Sequence, residues 1–428
     1  MLLRKITACA LGATLVSAFG AQAQDAPVQA AAQQQVPAQP PEQTLRPLYV
    51  KPLLAENEKG HNDSSPIWAY GGAMLAFERA EESRREIIIA RVDGTVVKNV
   101  YYQTDEDDLG LGTLLSGLGK SVSYNSGIAW SRAGNQFVFM SNAGEGNYDL
   151  YLGALDTKAV QRLTKDPQKD GQPNWSPVGG PLVFVSGRNG GAHLFLMDVA
   201  SQQTERVSSG EKSCLYPRWS ADGKRIAATC GANENHDIVV FDGLPSMAPA
   251  APAPGAQGAR PGAPLVKPQS AVAAPSRPPV EHFLTSWKYD DLSPSWSPDG
   301  KHIAFYSNYN PEGDPKTWSL LVIDADGSSP AEGDQLAARV VAHNVIPDVS
   351  QGPAWLPDSK RIAYVRNDKQ DYSPIYVVDV NTREDARLET GTNINHDLAV
   401  SSDGILAFRA QVDQWDQIFL VKFPEVDK

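Results

Sequence analysis

The sequence predicts an all-β protein: a single β-propeller of seven four-stranded blades, closed by a strand from the N-terminal side. Three observations carry this expectation. A ten-residue phrase recurs along the chain. In its tryptophan-bearing copies an apolar strand starts at a fixed distance after the tryptophan. The last copy lacks an outer strand, and the segment before the first copy can supply one. Internal repetition outranks local propensity as a clue to fold, because a repeated unit has to bury its faces against its neighbours.

The fullest copy is Trp296–Phe305, WSPDGKHIAF. Related copies start at Trp68, Trp130, Trp175, Trp219 and Trp355, and a shortened one, VSSDGILAF, starts at Val400. Six of the nine tryptophans hold the same place in the phrase, and the apolar segment begins seven residues later in each of those copies. An innermost strand A ends at the tryptophan, often with proline two residues earlier (Pro66, Pro173, Pro217, Pro294, Pro353). Ser-Pro-Asp-Gly then makes a type I turn, with proline presetting φ and glycine accepting the left-handed residue that follows. Strand B is the Ile-Ala-Phe run. Strand C is a second apolar run, as in Asp149–Asp156, His193–Asp198, Asp237–Asp242 and Pro374–Asp379. Strand D is short, as in Gln161–Thr164, His282–Thr285 and Ala386–Glu389. The seventh unit stops at strand C, Gln417–Lys422, and Leu45–Leu54 is expected to close it, with Pro47 and Pro52 tolerated at a sheet edge.

Composition bounds the function. The 428 residues carry 38 Lys and Arg against 50 Asp and Glu, a net charge of −12, with 41% apolar residues. That balance supports a sizeable core and argues against a nucleic-acid binder, which needs a basic surface to meet phosphate. Met1–Ala23 reads as a secretory signal peptide: Arg4 and Lys5, an apolar stretch over residues 6–20, and Ala21-Gln22-Ala23 as the cleavage site. The stretch is too short to cross a bilayer and no later segment qualifies, so no transmembrane segment is expected. Residues 24–44, rich in Ala, Gln and Pro, read as a disordered leader, and residues 45–428 as the propeller. The address is therefore the periplasm, and a monomer is expected.

At these residues the chain resembles the Pro-Asp (WD40-like) propeller repeats of TolB-type proteins, over about residues 45–423. The resemblance implies the propeller fold and a non-enzymatic binding role toward a protein or peptide partner in the cell envelope, with no cofactor. TolB-type proteins place a separate α/β domain before the propeller, whereas the leader here leads directly into the first strand. TolB's particular role in the envelope machinery is therefore not transferred. Related blades also occur in prolyl-oligopeptidase-type peptidases and in lyases acting on pectic oligosaccharides.

Propeller connectivity puts the A–B turns and C–D loops on one face. The Ala- and Pro-rich insertion at residues 243–279 emerges there and reads as disordered. The opposite face carries the B–C and D–A loops, and acids gather in them, including Glu56, Glu58, Asp63, Asp105, Glu106, Asp107, Asp108, Asp290 and Asp291. Trp287, Tyr289 and Trp318 are expected there as exposed aromatic anchors of the kind interfaces favour. The expected partner-binding residues are thus Asp105, Glu106, Asp107, Asp108, Trp287, Tyr289, Asp290, Asp291 and Trp318, a set suited to a basic partner segment around the tunnel mouth. The bland alternative is a solvated rim.

Candidate chemistry is sparse. Gly110–Ser121 ends in Gly-Lys-Ser, but the first glycine of a phosphate loop would fall on Leu114. His61, His343 and His396 are expected in loops of the acidic face. They are weak candidates for a divalent metal, without the spacing a metal motif shows. They define the alternative function, a metal-dependent, lyase-like propeller enzyme acting on oligosaccharides. No Gly-x-Ser-x-Gly nucleophile elbow occurs, and the last strand ends just before Lys428, so a serine peptidase is not expected. If Ser220 faces Lys224 across its turn, Cys214 falls opposite Cys230 as a hydrogen-bonded pair. An oxidising compartment would then favour a disulfide between them.

Overall fold

The computed structural model describes residues 43–54, 61–80, 85–100, 124–143, 147–232, 235–245, 247, 278–309, 317–327, 339–369 and 371–423. The expected signal peptide, almost all of the leader, the acids at 105–108 and most of the 243–279 insertion lie outside the described residues.

The fold is an all-β propeller within the compact unit Glu42–Lys428. β1 (Thr44–Leu45) and β2 (Tyr49–Pro52) precede the repeats. β3 (Asn62–Trp68), β4 (Met74–Ala80), β5 (Arg85–Arg91) and β6 (Val96–Val100) form one antiparallel sheet. β7 (Asn125–Trp130), β8 (Gln136–Ser141), β9 (Asp149–Ala154) and β10 (Val160–Arg162) form the next. A third comprises β11 (Asp170–Trp175), β12 (Leu182–Ser186), β13 (His193–Met197) and β14 (Thr204–Arg206). A fourth comprises β15 (Ser213–Trp219), β16 (Ile226–Ala232), β17 (Asn235–Asp242) and β18 (Val280–Phe283).

The following two repeats share one nine-stranded sheet. Its strands are β19 (Asp291–Trp296), β20 (His302–Ser307), β21 (Trp318–Asp324), β22 (Arg339–Ile346), β23 (Ala354–Trp355), β24 (Arg361–Arg366), β25 (Ile375–Asp379) and β26 (Asp385–Leu388), with β1 beside β26. The two repeats are joined because the end of β22 pairs with β24, Val345 facing Arg366 and Ile346 facing Val365. β23, the inner strand of the second of these repeats, is only two residues long. The last sheet holds β27 (Asn395–Val400), β28 (Ile405–Val412) and β29 (Trp415–Lys422), and β2 closes it by pairing Tyr49 with Lys422 and Pro52 with Phe419. Leu45–Leu54 is therefore two strands. Leu45 lies parallel to β26, Pro47 falls between the strands, and only 49–52 closes the last unit.

Packing explains the long apolar runs. Strands such as β12 and β13 are buried along their whole length because each sheet is covered on both faces. Hydrophobic clusters fill the junctions between successive units. Ile89 and Phe139 share one, Trp219 and Val183 another, and Phe77 and Leu420 a third, where the last sheet meets the first.

The repeat tryptophan is a staple between units. The indole Nε1 of Trp68, Trp130, Trp219, Trp296 and Trp355 donates to Ala399, Ile67, Asn174, Arg218 and Ser295, respectively, at 3.0–3.3 Å. Each acceptor is the carbonyl just before the equivalent position of a neighbouring copy. Trp175 instead bonds Gly180 within its own turn. In four of the turns a serine takes the first place and its hydroxyl accepts a backbone N–H at the start of strand B, as Ser220 does from Arg225 and Ser297 from His302, both at 3.0 Å. Glycine supplies the left-handed residue at Gly223 and Gly300, and Ser359 adopts the same conformation at φ 59° where its copy lacks the glycine.

Candidate binding site at the propeller tunnel

Inner strands line the tunnel, and a shared backbone irregularity aims their side chains. Three residues before the repeat aromatic, every copy has positive φ: Ser65, Gly127, Gln172, Tyr216, Ser293, Gly352, and Asp397 ahead of Val400. The strand register slips around six of these residues, so each is an extra residue in its strand, a β-bulge. Such a bulge frees a backbone N–H, and the adjoining unit satisfies it. Ser65 N–H donates to Asp397 Oδ2 at 3.1 Å, Gly127 to Glu78 Oε1 at 2.9 Å, Tyr216 to Gln172 Oε1 at 2.7 Å and Ser293 to Thr229 Oγ1 at 2.9 Å. The bulge ring thus ties the inner strands together and presents polar side chains to the axis.

A loop crosses that axis. Residues 347–352 lead from β22 to the short β23, and they bond to three other units. Gln351 Nε2 donates to Pro66 O at 2.8 Å, Ser293 Oγ donates to Val349 O at 2.7 Å, and the Arg218 guanidinium donates to Ser350 O. Asp348 shapes the loop: its Oδ1 accepts from Ser350 Oγ at 2.7 Å and from the N–H groups of Ser350 and Gln351, both at 3.0 Å. This side-chain turn mimics a backbone turn and holds the strap rigid. Inner-strand residues 353 and earlier are thereby diverted, which is why β23 is so short.

The strap contributes to two cavities. One, of about 410 Å³, is lined among others by Ser65, Glu78, Arg85, Gln172, Asn174, Tyr216, Arg218 and Gln351. The other, of about 30 Å³, is bordered by Tyr306, Asp348, His396 and Asp397. Within the larger cavity Arg85 pairs with Glu78 at 3.1 Å. Burial raises the Glu78 carboxyl and the Tyr216 phenol above their usual values and lowers the Arg218 guanidinium. Asp348 is raised first by burial and then by the nearby Asp397 charge.

The expected aromatic and acidic residues are placed differently from expectation. Trp287, Tyr289 and Trp318 are half-buried rather than exposed. Trp287 stacks on Tyr309 at 5.9 Å and meets Tyr289 edge-on at 5.8 Å, and all three rings form one cluster. Trp318 begins β21 and packs on a different core. Asp290 accepts from His236, Nδ1 to Oδ1 at 2.6 Å. Asp291 is fully buried: it opens an inner strand, and its Oδ2 accepts the Trp287 indole at 2.5 Å. It adds no charge to the surface. Of the histidines, His343 lies in β22 and His396 in β27, strands that run further than their copies suggested, whereas His61 directly precedes β3. Among the described residues no group of three or more His, Cys, Asp or Glu could hold a metal ion.

Cys214 and Cys230 form a disulfide. They face each other, but as a non-hydrogen-bonded pair: their Cα atoms are 4.1 Å apart and the Cys214 N–H goes to Ala192 O instead. Near the turn, Trp219 faces Ile226, one position off the expected register, and the bulge at Tyr216-Pro217 restores it. Sequence reasoning missed Arg218, Gln172 and Gln351. The first two could have been found as inward-facing positions at fixed offsets from the repeat tryptophan. Gln351 carries no such mark.

A ring of repeated four-stranded units around a polar tunnel defines the class, a β-propeller repeat protein. Residues 100–247 match the family model described as the TolB beta propeller domain, and the chain is similar there to TolB-type propeller repeats. It is 28% identical over 174 residues to a TolB homolog of Chlorobium luteolum, a match covering 41% of this chain and 32% of that protein. The chain thus spans about a third of the length of the curated relatives it matches. Among solved structures, a puromycin-hydrolyzing peptidase of Mycobacterium tuberculosis is similar with a TM-score of 0.57 at 11% identity, covering 85% of this chain and 52% of that one. An oligogalacturonate lyase of Vibrio parahaemolyticus is similar with a TM-score of 0.54 at 10% identity, covering 88% and 94%. At those identities the likeness shows the fold alone. Among the described residues no helix is long and apolar enough to cross a membrane.

Proposed function

We propose that the chain is an exported, monomeric, non-enzymatic propeller of the periplasm, which binds a protein or peptide partner of the cell envelope around its tunnel mouth. The observation that carries this reading is the cavity of about 410 Å³ at the tunnel, floored by a fixed strap and walled by bulge residues of several units. Rigid strands holding variable loops around such a depression suit recognition, and TolB-type repeats support the same role. The acids of 105–108 and Asp290 would steer a basic partner toward the mouth, and the Trp287 cluster would supply apolar contact. No observation favours the lyase-like alternative.

The test is capture of partners from an envelope extract on the tagged protein, beside a variant with Asp105, Glu106, Asp107, Asp108 and Asp290 changed to lysine. Asp291 is left intact because it is buried. A partner held by the wild type and lost by the variant, with binding that weakens as salt rises, is the expected result. Equal capture by both proteins would reject the placement on this face.

A further inference from the structure

We infer that the larger tunnel cavity is a binding site for a carboxylate-bearing ligand, with Arg218 as its anchor. The inference goes beyond partner docking at the rim. It concerns the interior of the tunnel and a ligand of opposite charge to the one the rim would attract.

Buried guanidinium groups are ordinarily matched by a carboxylate, because an unpaired charge away from water is costly. Arg218, half-buried in the cavity wall, is not matched in this way. The acceptors its guanidinium meets are two neutral carbonyls, Pro217 O and Ser350 O. Among the described residues no carboxylate lies within ion-pair distance of it. Glu78 is already engaged by Arg85 and by the Gly127 N–H. Asp348, on the strap, attracts the guanidinium electrostatically from beyond ion-pair distance; its Oδ1 is taken up by the loop itself and its Oδ2 has no hydrogen-bond partner. The cavity wall therefore carries two guanidinium groups against one carboxylate.

The neutral groups of the wall point the same way. Gln172 Oε1 accepts the Tyr216 N–H and Asn174 Oδ1 accepts the Trp219 N–H at 2.9 Å. Both amide oxygens are thus committed as acceptors, and both amide NH2 groups are left as donors. The Tyr216 phenol, protonated at neutral pH, is a further donor. A guanidinium has five N–H groups in a planar fork, and the two carbonyls use only part of it. A donor-rich, cationic enclosure of about 410 Å³ matches a carboxylate on a small molecule or on a short peptide segment.

Calorimetric titration of the purified protein tests this with three probes: succinate, N-acetyl-Ala-Ser-Glu-amide, and the same peptide with glutamine in place of glutamate. Saturable binding of succinate would identify a free carboxylate as the source, and binding of the glutamate peptide a peptide carboxylate. Either supports the site, provided that the glutamine peptide and an Arg218→Gln variant each bind at least about tenfold more weakly. Arg218→Lys should bind with intermediate affinity, since it keeps the charge but loses the fork. No saturable binding of either carboxylate up to about 10 mM overturns the proposal, as does equal affinity for the two peptides or unchanged affinity in Arg218→Gln. If circular dichroism shows that Arg218→Gln is unfolded, the comparison of the two peptides on the wild type decides. These outcomes are independent of partner capture at the rim.

Discussion

Asp291 sits at the start of an inner strand with no exposed surface, and its carboxyl is pushed up to about 7, chiefly by burial. The Trp287 indole and the hydroxyls of Thr285 and Ser307 favour the charged form, yet its Oδ1 has no hydrogen-bond partner, so burial dominates. The folded state therefore binds this proton more tightly than the unfolded chain does. Its stabilising contribution is full below the unfolded carboxyl value of about 4 and is lost as pH rises through about 7. Asp291→Asn keeps the shape and removes the titration. Urea unfolding at about pH 5 and about pH 8 should show the variant gaining on the wild type as pH rises, by an amount on the order of a few kcal/mol. A constant difference between the two proteins across that range would mean that the carboxylate is stably ionised in the fold.

The hairpin of β15 and β16 shows what its sequence discloses and what it hides. Trp219, its turn and strand B were all legible, because one phrase repeated along the chain averages away local ambiguity. The bulge was not. Its residue is glycine at Gly127 but Ser, Gln, Tyr or Asp in the other bulges, so no residue type announces the left-handed backbone. Contacts between units impose it, through the N–H bonds to the adjoining sheet. The candidate site was less legible for the same reason. The strap at 347–352 has no repeat counterpart and is defined by bonds to residues far away in sequence, such as Pro66 and Arg218. The disulfide spans 16 residues of this hairpin. In the chain-entropy view, closing a loop of that size stabilises by about 3 kcal/mol. A Cys214→Ser/Cys230→Ser variant should lose about 2–3 kcal/mol in urea unfolding, and reduction should bring the wild type to the same midpoint. A midpoint unchanged by both treatments would show that the hairpin is held by its packing alone.

A ring of sheets has one seam, and here the two ends of the propeller meet in it. Residues 49–52 pair with 419–422, while Tyr49, Leu53 and Leu54 pack into the cluster shared by the last and first sheets. Every other junction is joined by chain continuity as well as by contact, so the seam is the place where the ring can open without breaking a covalent connection. Removing residues 1–54 should therefore cost more than the apolar surface of a short strand, because it also leaves β29 as an unpaired edge. The truncated protein is expected to melt at a lower temperature, over a broader transition, and to associate, as read by calorimetry and light scattering. A double substitution, Tyr49→Lys with Leu53→Lys, separates the two effects: it weakens seam packing but keeps the backbone pairing. It should lower the midpoint while leaving the protein monomeric. If the truncated chain instead melts sharply at the wild-type temperature, closure rests on the packing between β3 and the last sheet, and the N-terminal strand is only a cover for the edge.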